Sequence, residues 1–448
     1  MRVVIIGGGE IGFALAHGLA PQHEVFVIDH IAEIGERFQP LDVQFVPGTG
    51  TSREILLRAG AEQADVVVGC TGLDEVNIVS CALARQLANP RTICFVSRED
   101  FVQPGAPQSH GLAAFGIDRV IWPEAQLAEE IERVVRVPGA LDAETFADGA
   151  IRLVEYRLEP DSPFTGRVAD LHLPRNSLLV AVRRGDDFFI PRGASTLEAR
   201  DRVLVMGTPE ALREMRQRMT RAPESDRQRV TIVGGGDVGL QLAERLERNA
   251  DGIELALIER DVDRAELIAA RLRHTLVLNG DGTDLELLEN EDVGRSDVLV
   301  GVIDNDEKNL LASLLARQLG VGRIISRVSR RANLRLFERV GIDIAISARG
   351  AAVASVLHQI QGGPTRLLAI VEEGAGRILE LDVPPEYPSR SLRDLAPPLN
   401  SIVGAIVRGS HAFVPRGTDR LAPGDRLIVF TTHAAADKVR DYFTTVTS

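Results

Sequence analysis

The feature that most constrains this chain is a stretch that it contains twice. Arg2-Val-Val-Ile-Ile-Gly-Gly-Gly-Glu-Ile-Gly-Phe-Ala-Leu-Ala16 recurs as Arg229-Val-Thr-Ile-Val-Gly-Gly-Gly-Asp-Val-Gly-Leu-Gln-Leu-Ala243. In each copy a β-branched apolar run too short for a helix meets Gly-x-Gly-x-x-Gly and then a helix-like pattern, which predicts a strand, a tight turn and a helix. The first glycine (Gly7, Gly234) permits the turn. The second (Gly9, Gly236) lets a phosphate approach the backbone, and the third (Gly12, Gly239) lets the helix pack on the strand. Free amides at the helix start then face a ligand's negative charge, with Gly8, Glu10 and Ile11 in one copy and Gly235, Asp237 and Val238 in the other.

An acidic residue closes the next strand in both copies, Asp29 after Val25-Phe-Val-Ile and Glu259 after Glu254-Leu-Ala-Leu-Ile. A carboxylate there accepts hydrogen bonds from ribose hydroxyls and repels a 2′-phosphate, favouring NAD or unmodified adenosine over NADP.

Self-comparison extends the repeat to the whole chain. Gly7 recurs as Gly234, 227 positions on; Gly48-Thr-Gly-Thr51 matches Gly280-Asp-Gly-Thr283 and Asp74-Glu-x-Asn77 matches Asp306-Glu-x-Asn309, each at 232. Gly116-Ile-Asp118 matches Gly341-Ile-Asp343 at 225, and Ser177, Pro191-Arg-Gly193 and Asp201-Arg202 match Ser401, Pro415-Arg-Gly417 and Asp425-Arg426 at 224. The fall from 232 to 225 places an extra segment in the first half, around residues 103–110, which reads as a surface loop.

The expected fold is α/β: a tandem duplication in which each half is a Rossmann-like doubly wound parallel sheet followed by a small α+β domain. The boundaries read as 1–138 and 139–222 in the first half and 228–362 and 363–448 in the second, with a linker at 220–229. First-half strands are expected at 2–6, 24–28, 43–46, 65–69, 92–97 and 118–122, with helices near 10–20, 31–38, 52–59 and 75–88. A further helix follows the sixth strand, Pro123–Val135, with Ala348–Gln361 as its counterpart; its apolar face could cover its own sheet or a neighbour's. The small domains are expected to have strands at 151–157, 177–183, 187–190 and 202–206, repeated at 378–382, 401–407, 411–414 and 426–430. Each ends in a helix, near 208–219 and 433–443. Asp74, Asp304 and Asp306 sit where a helix begins after the fourth strand, so capping explains them at least as well as ligand contact.

At 448 residues, 44% apolar and 26% charged, the chain can bury several cores. No apolar run approaches the ~18 residues of a membrane helix. The first strand begins at once, leaving no room for a signal peptide, so a cytoplasmic protein is expected. A formal charge of −13 argues against nucleic acid as a partner. Cys70, Cys81 and Cys94 read as buried reduced thiols, and the nine histidines form no metal pattern. No Ser/His/Asp or Cys/His set recurs in both halves, and the small domains offer no evident acid or base for hydride chemistry. An NAD-dependent oxidoreductase or an empty scaffold is therefore weaker than a nucleotide-controlled regulator, with no catalytic residue expected.

With the duplication in view, the chain resembles the TrkA family, cytosolic regulatory subunits of bacterial Trk potassium-uptake systems built from two tandem RCK (KTN plus C-terminal) units. The residues that carry the resemblance are the doubled glycine turn with Asp29 and Glu259, Gly280-Asp-Gly-Thr-Asp284, Asp-Glu-x-Asn at 74 and 306, Ile342-Asp-Ile-Ala-Ile-Ser347 and the strand Asn400–Arg408. It implies a homotetramer whose eight Rossmann-like units form a ring beneath a membrane-embedded potassium-translocating Trk subunit. It also implies NAD(H), ATP or ADP in the glycine-turn clefts, and inter-unit contacts for the helices at 124–135 and 348–361. The resemblance extends the site to Thr49 and Thr71 in the first half and Asp281 in the second. It places an arginine of the fifth strand facing the phosphates: Arg327 in the second half, but Phe95 in the first, where Arg98 lies three residues on. Asp281 has no counterpart aspartate in Gly48-Thr-Gly-Thr51, so the two clefts are expected to differ in nucleotide preference.

Overall fold

The apolar run before each glycine turn is the central strand of a parallel sheet. The computed structural model describes residues 1–102, 111–160, 162–185, 187–219, 227–248, 252–360, 365–371, 375–387, 389–395 and 397–444; the loop expected at 103–110 lies outside them. The first half opens with β1 (Arg2–Ile6), α1 (Glu10–Leu19), β2 (Glu24–Asp29), β3 (Val43–Pro47), α2 (Arg53–Arg58), β4 (Val66–Gly69), α3 (Asp74–Ala88), β5 (Arg91–Phe95), β6 (Arg119–Ile121) and α4 (Pro123–Val135). Its six strands pair in parallel in the order β3-β2-β1-β4-β5-β6. Val3 to Ile6 are fully buried because helices cover both faces of such a sheet.

The segment expected as a helix at 31–38 is instead a 3₁₀ turn, Ala32–Phe38. Its Gly35 lies against Phe45, where a Cβ would come within 2.8 Å of the ring, so a larger residue there would have to displace it.

The small domain that follows contains β7 (Asp142–Phe146), β8 (Ile151–Arg157), β9 (Gly166–Arg167), β10 (Ser177–Arg184), β11 (Asp187–Phe189), β12 (Thr196–Leu197), β13 (Arg202–Gly207) and α5 (Pro209–Met219). The second half repeats the doubly wound pattern with β14 (Gln228–Val233), α6 (Asp237–Arg248), β15 (Ile253–Glu259), α7 (Val262–Arg271), β16 (Leu276–Asn279), α8 (Leu285–Asn290), β17 (Val298–Gly301), α9 (Asp306–Leu319), β18 (Arg323–Arg327), α10 (Arg331–Arg339), β19 (Ile344–Ile346) and α11 (Ala348–Ile360). Its strand order, β16-β15-β14-β17-β18-β19, is that of the first half. β14 begins at Gln228, inside the stretch expected as linker. The chain ends with β20 (Thr365–Val371), β21 (Gly376–Asp382), β22 (Ser401–Arg408), β23 (His411–Phe413), β24 (Arg426–Thr432) and α12 (Ala436–Thr444).

The contacts divide the chain into two units that pair like with like: Met1–Glu132 with Arg227–Ile360, and Arg133–Asp226 with Gln361–Ser448. In the first unit, α11 leaves its own sheet and packs on the other half. Ala352, Val356, Leu357 and Ile360 join Leu15, Leu19, Val25, Val27 and Phe38 in one apolar cluster. Gly18 of α1 admits Leu357, whose Cδ1 lies 2.9 Å from where a Cβ would be. Reciprocally, Glu129 and Glu132 of α4 accept hydrogen bonds from Arg245 of α6, at 3.4 and 3.3 Å. The choice between own sheet and neighbour is thus resolved for α11: it covers the neighbouring half of its own chain.

In the second unit the sheets run β7-β8-β13-β10-β11 and β20-β21-β24-β22-β23, the same order, with β9 pairing β12 apart. Their facing sides share one core, in which Met206, Leu204 and Phe146 meet Ile378, Ala405 and Phe430. Each sheet carries the same internal ion pair. Arg184 grips Asp201 through two bonds of 2.8 and 2.7 Å, and Arg408 grips Asp425 at 2.7 and 2.8 Å. Both aspartates are 1% exposed, and the guanidinium holds each carboxyl below the usual range against the opposing effect of burial. Asp201 and Asp425, which recur in the repeat, are thereby architectural. Among the described residues no helix is long and apolar enough to cross a membrane.

Candidate functional site: two glycine-turn clefts

Both glycine turns are built alike. Gly7 and Gly234 have φ of +114° and +109°, which an L side chain rarely adopts. A Cβ on Gly12 or Gly239 would stand 1.8 or 1.9 Å from the carbonyl of Gly7 or Gly234, so helix and turn close only with glycine there. At Gly9 and Gly236 a Cβ would meet nothing within 4 Å, so this face of each turn is open. The strand-end acids hold the turns: Gly8 donates its N–H to Asp29 Oδ2 at 2.6 Å, and Gly235 to Glu259 Oε2 at 2.7 Å. The other oxygens accept from Ile31 and Asp261, at 2.9 and 2.8 Å. Each carboxylate oxygen keeps a second acceptor site for a ribose hydroxyl.

The second turn opens into a cavity of about 540 Å³, a size in the range of small-molecule sites. Of the residues singled out from sequence, Gly234, Gly236, Asp237, Val238, Glu259, Asp281 and Arg327 line it, whereas Gly235 and Gly239 brace the turn from behind. Asp304, weighed from sequence as helix cap or ligand contact, lines it too, and Glu124, Arg260, Arg264, Asn305 and Lys308 line it as well and were not anticipated. One signal for Lys308 was available: the chain uses lysine only there and at Lys438. Glu124 comes from the exchanged helix α4, so nothing in the local sequence could reveal it.

The cations of this cleft are held by carboxylates. Arg264 spans the turn, donating to Gly235 O at 3.0 Å and Asp237 at 3.1 Å. Arg327 pairs with Asp304 at 2.8 Å, Lys308 with Asp281 at 3.4 Å, and Arg260 with Asp281 at 3.8 Å. Asp281 also accepts from the Thr283 hydroxyl at 2.7 Å, and this bond above all holds its carboxyl below the usual range. Two buried polar atoms, Arg327 Nε and Glu124 Oε2, have no hydrogen-bond partner among the described residues. Burial pushes the Glu124 carboxyl up, with Arg327 opposing. Open glycine amides, an acid with spare acceptor sites and partly satisfied cations fit a nucleotide.

The first cleft has the same frame with different groups. Thr49 stands where Asp281 does and makes the same turn, its Oγ1 accepting from Thr51 N at 3.3 Å. Thr71 packs against the turn, its N 2.9 Å from where a Gly7 Cβ would be, and donates this N–H to Asn77 Oδ1 at 2.8 Å. Ile11 is partly buried against the sheet core. Arg98 is engaged elsewhere, bonded to Glu75 at 3.1 Å and lying over the Phe101 ring at 4.5 Å. Glu10 instead meets Arg349 of the exchanged helix α11.

The Asp-Glu-x-Asn repeat proves to be scaffold. Asp74 accepts from Ser97 N at 2.9 Å and Asp306 from Ser329 N at 2.7 Å, tying helix to loop; the cap of α9 is Asn305. Asn77 and Asn309 donate to Phe95 O and Arg327 O, both at 3.0 Å. The three cysteines are free and buried; burial pushes the Cys70 thiol up, and the bond with Cys81 does so for Cys94.

Fold and clefts together define a tandem pair of Rossmann-like domains, each with its small α+β partner. The TrkA-N domain model matches residues 3–123 and 230–348, and the TrkA-C domain model 153–220 and 378–444. The Trk system potassium uptake protein TrkA homolog 1 of Methanosarcina mazei is 37% identical over 99% of this chain and 100% of its own; the Archaeoglobus fulgidus homolog is 35% identical over 99% and 100%. TrkA of Halomonas elongata is 30% identical over 96% of this chain and 95% of its own. The GsuK RCK domain shares the fold, with a TM-score of 0.58 at 19% identity over 98% of this chain and 94% of its own. The chain belongs to the TrkA family of potassium-uptake proteins, and it is a non-enzymatic regulator of potassium transport.

Proposed function

We propose that this chain is a nucleotide-sensing cytoplasmic subunit that gates a membrane-embedded Trk-type potassium-translocating protein. NAD(H), ATP or ADP occupies the glycine-turn clefts, held by Gly7–Gly12, Asp29, Thr49 and Thr71 in the first half and by Gly234–Gly239, Glu259, Asp281 and Arg327 in the second. Four domains, 1–138, 139–222, 228–362 and 363–448, act within a homotetrameric ring at the inner face of the membrane. The observation that carries this reading is the cavity at the second turn, which combines a strand-end acid with cations paired with carboxylates. A phosphate replaces those carboxylates, and the exchanged helices report the change: a ligand in either cleft touches a helix of the other half. Such a ligand shifts the equilibrium between two arrangements by its differential affinity for them. The GsuK channel described as bound to NAD has the same fold, with a TM-score of 0.58 at 19% identity.

The test is potassium or rubidium flux into vesicles carrying the cognate Trk membrane subunit, with the protein added alone and with ATP, ADP or NADH. Flux that requires both protein and nucleotide is the expected result. An active membrane subunit indifferent to the protein under every condition would overturn the reading.

A further inference from the structure

The two clefts are unequally cationic, and the deficit in the first is met from the other half. Arg327, Lys308 and Arg260 of the second cleft stand where the first half has Phe95, Val76 and His30. Backbone register supports the match, since Asn77 bonds the carbonyl of Phe95 as Asn309 bonds that of Arg327. After Asp29 no lysine or arginine occurs before Arg37, whose guanidinium lies over the Phe13 ring at 4.9 Å. A guanidinium that does reach the helix start of the first turn is that of Arg349, paired with Glu10. Its repeat counterpart, 225 positions earlier, is Glu124, and Glu124 lines the second cleft together with Asp237, the counterpart of Glu10. One position on the exchanged helix thus reaches both glycine turns, with opposite charge.

We propose that Arg349 is a ligand-contacting residue of the first cleft, leaving Glu10 to donate to a phosphate of the nucleotide bound at Gly7–Gly12. This rests on the nucleotide reading above and adds that the phosphate is completed by the opposite half. A guanidinium fork matches phosphate oxygens as it matches a carboxylate. Glu10 and Arg349 are 60% and 57% exposed, so their pair is weak and its exchange for phosphate costs little. The phosphate is either the terminal group of a nucleoside diphosphate or the pyrophosphate of a dinucleotide.

The experiment is calorimetric titration of the full chain with ADP and with NAD, in a Gly236→Asp background that closes the second cleft. Arg349→Ala is expected to weaken binding about tenfold or more, Arg349→Lys to recover part, and Glu10→Gln to tighten it by removing the competing carboxylate. Loss confined to ADP identifies a terminal phosphate; equal loss on both ligands identifies the pyrophosphate. Affinity unchanged by Arg349→Ala overturns the proposal. So does a result in which Arg349→Ala and Glu10→Gln weaken binding alike and lower the melting temperature without ligand, the signature of a structural brace. Binding by the wild type that vanishes entirely in Gly236→Asp also overturns it, because the first cleft then takes no nucleotide. No binding by the wild type overturns the nucleotide reading itself.

Discussion

Glu155 shows how far the two halves have diverged at single positions. On β8 it stands opposite Asp142 of the edge strand β7, and Arg202 lies 3.6 Å from its Oε1. In the second half Glu380 stands opposite Arg366 instead. Burial, with Asp142 adding to it and Arg202 opposing, pushes the Glu155 carboxyl up to about 7. The folded chain therefore holds this proton at pH values where the unfolded chain, near 4.5, has released it. Stability from this group is complete below 4.5 and declines as pH rises through about 7. Glu155→Gln is expected to match the wild type near pH 4 and to exceed it by about 1–2 kcal/mol near pH 8. Denaturant unfolding at the two pH values checks this; a difference that does not grow with pH would refute it.

At the scale of elements, the exchanged helices are what the sequence left open. Their apolar faces were legible, but an apolar face does not name the surface that covers it. Gly18 answers for α11: Leu357 fills the space where a Cβ would be. Gly18→Val is expected to wedge α1 from α11 and cost about 1–3 kcal/mol, measured as a loss in thermal or denaturant stability; an unchanged midpoint would mean the helix does not bind there. The edge strands β7 and β20 were missed for a related reason. Asp142-Ala-Glu-Thr-Phe146 reads as polar, yet antiparallel pairing with β8 buries Ala143 and Phe146. Short strands at an edge take their structure from the neighbour they pair with, so their own composition signals little.

For the whole molecule the prediction concerns the independence of the clefts. Each bound ligand at ~100 times its dissociation constant adds about 2.7 kcal/mol per occupied site. Gly9→Asp and Gly236→Asp place a carboxylate where a side chain meets open space, so each is expected to abolish one increment and leave the fold intact. Nucleotide titration of the two variants is expected to show different losses, because four basic residues line the second cleft and three of them have Phe95, Val76 and His30 as their counterparts in the first half. Equal loss of the same ligands in both variants would sink the idea of unlike clefts. The duplication, the doubly wound parallel sheets and the glycine turns with their acids were legible along the chain, because those depend on periodicity and on backbone conformations that only certain residues adopt; the strand order itself came from the fold. That like domains pair with like, that α11 crosses to the other half, and that Glu124 and Arg349 reach opposite glycine turns emerged from long-range packing. Those contacts join residues more than a hundred positions apart, and no local pattern encodes which apolar face meets which.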